Sequence, residues 1–379
     1  MHYFSRYLKN NHKLYLFAFA DSEEEKKRIK DSPAVGENFT DVVFAPKPPI
    51  PGWLGKQHHR LKIMPNFVES VRNPQYTKRV IELVGESYQK FSCSLIFARG
   101  INMAQYFPSD SDFPIVLDIV DSLSLLFKTL STVETSISKK ILHKMEAFGT
   151  ARVEKSIAKT GIPLVVISPV DEQNIQRAWP GANTSVISNG IDTEYFQSTN
   201  LVSESKTILF TGVMSYEPNI DAASYFATKI LPALRKRDPE IEFLIVGKDP
   251  TSDVVELAQL ENVTVTGTVA DIRPYYDDSR IFVSPLRAGA GMKNKVLTAM
   301  AMHRPVIATA LSLDGIDATP GKELITAETP DEFAKEILCL LEDQNACLEL
   351  SKKGRKFVEK NFLWRKKVEQ LETIFQTIV

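Results

Sequence analysis

The sequence predicts an α/β protein made of two doubly wound, parallel-sheet domains. Three observations lead there. Short apolar runs alternate with helix-length segments along the chain, the pattern of parallel strands joined by helical crossovers. In the second half, runs at 207–210, 240–246 and 263–266 close on Gly212, Gly247 and Gly267, which lines up open backbone along one sheet edge. The 379 residues are long for one domain and natural for two.

In the first half, residues 2–10 read as a short basic helix, 14–20 as a buried strand, 23–30 as a solvated helix and 42–45 as a strand. KPPIPGWLGKQHHRLKIMPNF (47–67) then carries four prolines, two histidines and Trp53. It reads as a long surface loop. Because basic and aromatic residues alternate there, Trp53 and Arg60 also suit contact with an acceptor or a membrane surface. Residues 69–90 have helical periodicity, and 94–98 and 115–120 read as strands, with Asp110-Ser111-Asp112 in a polar loop between them. A helical stretch at 133–159 carries Glu134, Glu146 and Glu154. A strand at 164–168, a helix at 169–179 and a strand at 184–188 complete the half. The turn Asn189-Gly190 and the polar run QSTNLVSESK (197–206) mark the boundary. The expected domains are 1–188, 189–360 and a final helical piece, 361–379, in which Trp364 anchors the last helix.

Asp118 and Asp121 fall at or just past the end of the 115–120 strand. In open α/β sheets ligands bind at that edge. An Asp or Ser before an apolar run also serves as a helix N-cap, so Asp121 has both readings.

The most informative stretch is IFVSPLRAGAGMKNKVLTAMAMHRPVIATA (281–310). It reads as strand, glycine-rich loop, helix and strand, with Pro285 and Pro305 as stops. Gly289 and Gly291 leave the loop almost free of side chains. Asn294, Lys295 and Thr298 share one face of the helix start, and Arg287 stands just before the glycines. Two cations, bare backbone and a helix N-terminus suit a diphosphate. The same glycines also suit a plain crossover turn, with Lys295 as a solvated surface lysine.

PLRAGAGMKNKVLTAMAMHRPVIAT resembles the donor-binding segment of retaining glycosyltransferase family 4, above all the sugar transferases of exopolysaccharide clusters of the PEP-CTERM type. ILFTGVMSYEPNID (208–221) and VISNGIDTEYF (186–196) are similar to the same group. The resemblance implies the GT-B fold: two Rossmann-like domains facing across a cleft, with the last helix returning to the first domain. It implies transfer of a hexose, with retention, from a nucleotide-sugar to a glycan or lipid-linked acceptor. The setting is exopolysaccharide or cell-surface glycan synthesis. The implied donor site comprises Gly212, Gly247, Val269, Arg287, Gly289, Ala290, Gly291, Asn294, Lys295, Val296 and Thr298. Asp121, Arg287 and Lys295 carry the chemistry. No cofactor and no metal are expected, although Asp-x-Asp strings like Asp110-Ser111-Asp112 bind metal in another glycosyltransferase class.

The chain departs from that family in four places. Relatives begin with a further strand and loop before the helix that here starts near His2, so the expectation is a truncated chain or one with impaired acceptor binding. Relatives carry His-Asp where this chain has Val120-Asp121. They place Glu where Thr298 stands, and a hydroxyl cannot replace the bidentate acceptor that Glu offers a ribose. The Arg and Lys found after their first C-domain strand are absent from Gly212-Val213-Met214-Ser215-Tyr216-Glu217. Two other readings stay open: a non-catalytic binding or partner protein on the same fold, or a nucleotide-sugar epimerase.

Composition sets outer bounds. Charged residues are 25% with a net charge of −1, which gives no basis for nucleic-acid binding or for a wholly basic membrane-binding protein. Cys93, Cys339 and Cys347 lack any metal spacing and suit a reducing, cytoplasmic setting, with a peripheral contact on the inner face of the membrane. No apolar run approaches the ~20 residues of a membrane span, and MHYFSRYLKNNHK holds no signal-peptide core.

Overall fold

The computed structural model describes residues 2–49, 73–107, 113–201 and 203–379. Trp53, Arg60, Asp110 and Asp112 lie outside the described residues. The chain divides into two compact units. Unit 1 holds 1–128, 137–187 and 364–379; unit 2 holds 129–136 and 188–363.

In unit 1, helix α1 (His2–Leu8) leads into β1 (Tyr15–Phe19), α2 (Glu23–Lys30) and β2 (Asp41–Ala45). Next come α3 (Pro74–Lys90), β3 (Ile96–Arg99), β4 (Ile115–Val120) and α4 (Leu123–Val133). The long helix α5 (Ile137–Ala158), β5 (Leu164–Val166), α6 (Pro169–Ala178) and β6 (Thr184–Val186) follow. The sequence suggests one helix over 133–159, but α4 ends at Val133 and α5 starts at Ile137. Residues 129–136, the last turn of α4 and the break itself, belong to unit 2.

The described strands of unit 1 form two parallel sheets, β1-β2 and β3-β4-β5-β6. Cavities of about 420 and 300 Å³ are lined from both sheets by Tyr15, Phe91, Leu95 and Phe97. On one side of the strands, Val80 and Val84 of α3 pack with Leu117, Leu164 and Val166. On the other, Phe4 and Leu8 of α1 pack with Val116, Val165 and Leu371. Helices cover both sides, as the unbroken apolar run Ile115–Val120 requires. The final helix, α12 (Trp364–Gln376), belongs to unit 1 and stacks Trp364 on Tyr3 at 4.9 Å between ring centroids.

Unit 2 has one six-stranded parallel sheet in the order β12-β11-β10-β7-β8-β9. Its strands are β7 (Thr207–Thr211), β8 (Glu242–Val246), β9 (Val263–Val265), β10 (Ile281–Ser284), β11 (Val306–Ala308) and β12 (Ile325–Thr326). The helices that matter for the site are α7 (Glu217–Tyr225), directly after β7, and α9 (Asn294–Ala301), between β10 and β11. Phe210, Phe226, Phe243, Ile281 and Val283 are fully buried in its core. The order places β10 and β7 side by side at the centre, so the loops that follow them open at the same sheet edge.

Candidate functional site

The strand ends of unit 2 set the frame. Gly212 follows β7 and Gly247 follows β8. A Cβ on Gly247 would lie 1.7 Å from the carbonyl oxygen of Gly212, so no side chain is compatible there. This close approach is tied by hydrogen bonds from Gly212 N–H to Val246 O (3.1 Å) and from Met214 N–H to Lys248 O (2.8 Å). Val269, half-buried, sits in the loop after β9.

The loop between β10 and α9 depends on glycine at two positions. Gly289 has φ 136° and Gly291 φ 66°, conformations costly to any side-chain-bearing residue. Thr129 braces the loop from the 129–136 segment: its Oγ1 accepts from Gly289 N–H at 2.9 Å and donates to Gly289 O at 3.2 Å. The buried Lys293 ties the other end, its Nζ donating to Ala290 O at 3.0 Å and to Gly291 O. Lys293 therefore closes the loop from within.

Lys295, in the first turn of α9, extends to the base of the site. Its Nζ donates to Asn219 Oδ1 and lies 4.3 Å above the centre of the Phe210 ring. It approaches Gly212 so closely that a Cβ there would lie 3.1 Å from the ammonium and 2.6 Å from Asn219 Nδ2. Asn219, in the first turn of α7, is held by its Nδ2 on Val213 O at 2.8 Å. Burial, then the nearby Lys293 charge, lowers the Lys295 pKa to about 7. An ammonium with one neutral amide oxygen and an aromatic face, and no carboxylate partner among the described residues, is poorly compensated. An arriving anion would restore its charge.

The other expected residues take varied positions. Arg287 lies on α7: Nε donates to Asp221 Oδ2 at 3.0 Å, Nη2 donates to Oδ1, and the guanidinium stacks 4.3 Å from the Tyr225 ring centre. Asn294 Oδ1 accepts from Asn189 Nδ2 at 3.1 Å. Thr298 Oγ1 donates to the carbonyl of Asn294 in its own helix at 3.1 Å, leaving its lone pairs as acceptors. Ala290 is buried, and Val296 is fully so, leaving Val296 no side-chain surface; its N–H donates to Lys293 O at 2.9 Å. Sequence reasoning missed Asn219, Asp221, Phe210, Lys293 and Thr129. Lys293 could have been noticed from its place two residues before Lys295.

Asp121 belongs to unit 1, half-buried between β4 and α4. The residue before it, Val120, has φ 69°, a rare conformation for a β-branched side chain. Asp118 holds that kink, its Oδ1 accepting from Val120 N–H at 2.9 Å while Arg99 stands 3.3 Å from Oδ2. Burial raises the Asp118 pKa against the pull of Arg99. Beyond Asp121, the start of α4 is gripped from two helices. Ser122 N–H donates to Asp171 Oδ1 of α6 at 2.9 Å, and Ser124 N–H donates to Glu154 Oε1 of α5 at 3.1 Å. Burial also raises the Glu154 pKa. A buried scaffold thus fixes the backbone on both sides of Asp121. Among the described residues, no group of three or more His, Cys, Asp or Glu could hold a metal ion.

Residues 205–343 match the family model described as Glycosyl transferases group 1, a span wholly inside unit 2. A 44.6 kDa uncharacterized protein of the cps region of Klebsiella pneumoniae is 24% identical over 245 residues, 62% of each chain. The capsular polysaccharide biosynthesis glycosyltransferase CapM of Staphylococcus aureus is 27% identical over 206 residues, 51% of this chain and 54% of CapM. The matched segment thus spans less than two thirds of either relative. Among solved structures, Anabaena HepE in complex with UDP and glucose superposes with a TM-score of 0.67 at 14% identity, over 99% of this chain and 94% of HepE. This likeness shows the GT-B fold.

Proposed function

We propose that this chain, with the GT-B fold and a glycosyltransferase group 1 match in unit 2, transfers a hexose from a nucleotide-sugar to a glycan or lipid-linked acceptor, with retention, as family 4 enzymes do. Its place would be the synthesis of capsule or another cell-surface glycan, in keeping with the cps-region and CapM relatives. The observation that carries the reading is Lys295, poised over Phe210 and Asn219 at the start of α9 beside the bare backbone of Gly212.

The chemistry follows from charge. As the glycosidic bond breaks, the departing diphosphate gains negative charge, and catalysis benefits from contacts that strengthen at that moment. Lys295 would carry its proton when the diphosphate arrives, acting with the N-terminal dipole of α9. Arg287 would add a second cation by exchanging Asp221 for phosphate oxygens, since its fork suits either partner. Thr298 would offer the ribose one acceptor. Asp121 would face the transferred sugar. No metal is required in this scheme. The enzyme would be cytoplasmic; among the described residues no helix is long and apolar enough to cross a membrane.

The reading is tested with a panel of nucleoside diphosphates and their sugars, beginning with the uridine series because HepE was captured with UDP. Lys295→Ala should weaken nucleoside diphosphate binding much more than nucleoside binding, and the sugar released by donor hydrolysis should keep its anomeric configuration. Equal loss for both ligands would remove Lys295 from the diphosphate site. Tight nucleotide binding without turnover would favour the non-catalytic reading, which Thr298 and the Arg287–Asp221 pair independently support.

A further inference from the structure

The long helix α5 has a side that is exposed among the described residues. His143, Thr150, Glu154 and Ile157 face inward and are buried. On the opposite side Ile137, Ile141, Met145 and Phe148 are 77%, 54%, 39% and 67% exposed. Their spacing, i, i+4, i+8 and i+11, puts all four within an arc of roughly 80° and along roughly 17 Å of helix. Scattered apolar residues on a surface are ordinary, but a contiguous stripe on one helix marks an interaction surface.

The charges around the stripe identify the partner. Lys144, Arg152 and Lys155 lie on or beside the same arc, and all are exposed. The Arg152 guanidinium stands 5.9 Å from the Phe148 ring centre. Just past the helix, Lys159 stands 5.2 Å over the ring of Trp179, which is itself 36% exposed. The acids of α5 point elsewhere: Glu154 is buried, and Glu146 is half-buried beside His143. The exposed side thus joins large apolar side chains to lysine, arginine and a tryptophan, without a carboxylate of α5 among them. That combination suits a helix lying in the headgroup layer of an anionic bilayer. A protein partner would be expected to meet these cations with acids of its own, whereas a bilayer supplies both the anions and the apolar layer in one surface.

We infer that α5 is a membrane-docking surface through which the protein lies on an anionic lipid bilayer. Ile141, Met145 and Phe148 enter the acyl boundary, and Lys144, Arg152, Lys155 and Lys159 meet the lipid phosphates. The site differs from the Trp53–Arg60 loop, where the sequence alone suggests membrane contact. It stands on unit 1 by itself and does not depend on the donor reading.

The test is co-sedimentation of the full chain with vesicles of equimolar phosphatidylglycerol and phosphatidylcholine, and with vesicles of phosphatidylcholine alone, with no sugar nucleotide present. The wild-type protein should partition onto the anionic vesicles and only weakly onto the neutral ones. Ile141→Ser with Phe148→Ser, and separately Lys144→Glu with Arg152→Glu, should each lower the partition coefficient roughly tenfold or more. These positions are exposed, so unchanged circular dichroism and melting should confirm an intact fold. Absence of wild-type binding to anionic vesicles, or variants that bind as the wild type does, would overturn the inference. So would variants whose only change is a shift from dimer to monomer in sedimentation velocity, since a second copy would then cover the stripe.

Discussion

If the donor diphosphate binds at Lys295, whose pKa burial lowers to about 7, donor binding becomes a protonation event, and the size of the effect follows from that value. Take a nucleotide-sugar, whose pyrophosphate is a diester with no proton to exchange near neutrality. If the bound diphosphate requires charged Lys295, the apparent Kd scales as one plus the ratio of neutral to charged lysine in the free protein. Well below pH 7 the lysine is already charged and affinity is flat. Above it, each pH unit costs about tenfold until the lysine of the complex begins to titrate. From about pH 6 to pH 8 the Kd should rise roughly tenfold, about 1.4 kcal/mol. The sign is fixed by the direction of the shift: the free protein holds fewer protons than the complex, so binding takes protons up. Isothermal titration in buffers of different ionisation enthalpy reads this directly. Uptake should approach roughly 0.9 proton per ligand at about pH 8 and fall to roughly 0.1 at about pH 6. Lys295→Met should abolish both the uptake and the pH dependence. A wild-type affinity that is flat over this range, with no proton uptake, would show that Lys295 is charged in the free protein or that the diphosphate binds elsewhere.

Three further outcomes are expected. Asp121→Asn should lower turnover by two orders of magnitude or more while leaving nucleoside diphosphate affinity within about twofold; equal losses would make Asp121 a structural residue. Thr298→Glu should tighten donor binding roughly tenfold, because a carboxylate offers the ribose a charge-assisted acceptor worth about 1.5–3 kcal/mol, and titration against the matching deoxyribose nucleotide should lose that gain. Gly247→Ala should cost more than the ~1–3 kcal/mol of ordinary overpacking, since its Cβ meets the Gly212 carbonyl at 1.7 Å, and a melting temperature close to the wild type's would show that the two loops separate easily.

The β10–α9–β11 unit was legible in the sequence because every signal in it is local. Apolar runs, two glycines and two prolines fix its elements within thirty residues. The surroundings of Lys295 were not legible, because Asn219 and Phe210 reach it from strand and helix positions far away in the chain. Arg287 shows the same limit: nothing in its own segment signals that Asp221, 66 residues earlier, takes its guanidinium. The α4–α5 break was hidden since 133–136 contain no glycine or proline, and the segment is claimed instead by packing with unit 2. The exposed side of α5 could have been found by plotting its apolar residues, yet periodicity alone does not say which side is buried.

The separation of β1-β2 from β3-β4-β5-β6 gives unit 1 a different opening behaviour from unit 2. In a single sheet of six strands, the four interior ones cannot lose their amide protection without breaking pairings on both sides. Among the described residues β1 pairs only with β2, and β3 only with β4, so each can be released by losing one ladder. The β1-β2 ribbon is held in unit 1 by the packing of Phe17 and Phe19 and by side-chain hydrogen bonds such as Tyr76 Oη donating to Pro46 O at 2.8 Å, and a two-stranded ribbon has little stability of its own. Sub-global openings that free this ribbon would lie well below the free energy of global unfolding, and amide exchange would reach β1 long before β7 or β10. Unit 1 is thus the pliable half of the molecule, and the sheet of unit 2 the rigid one.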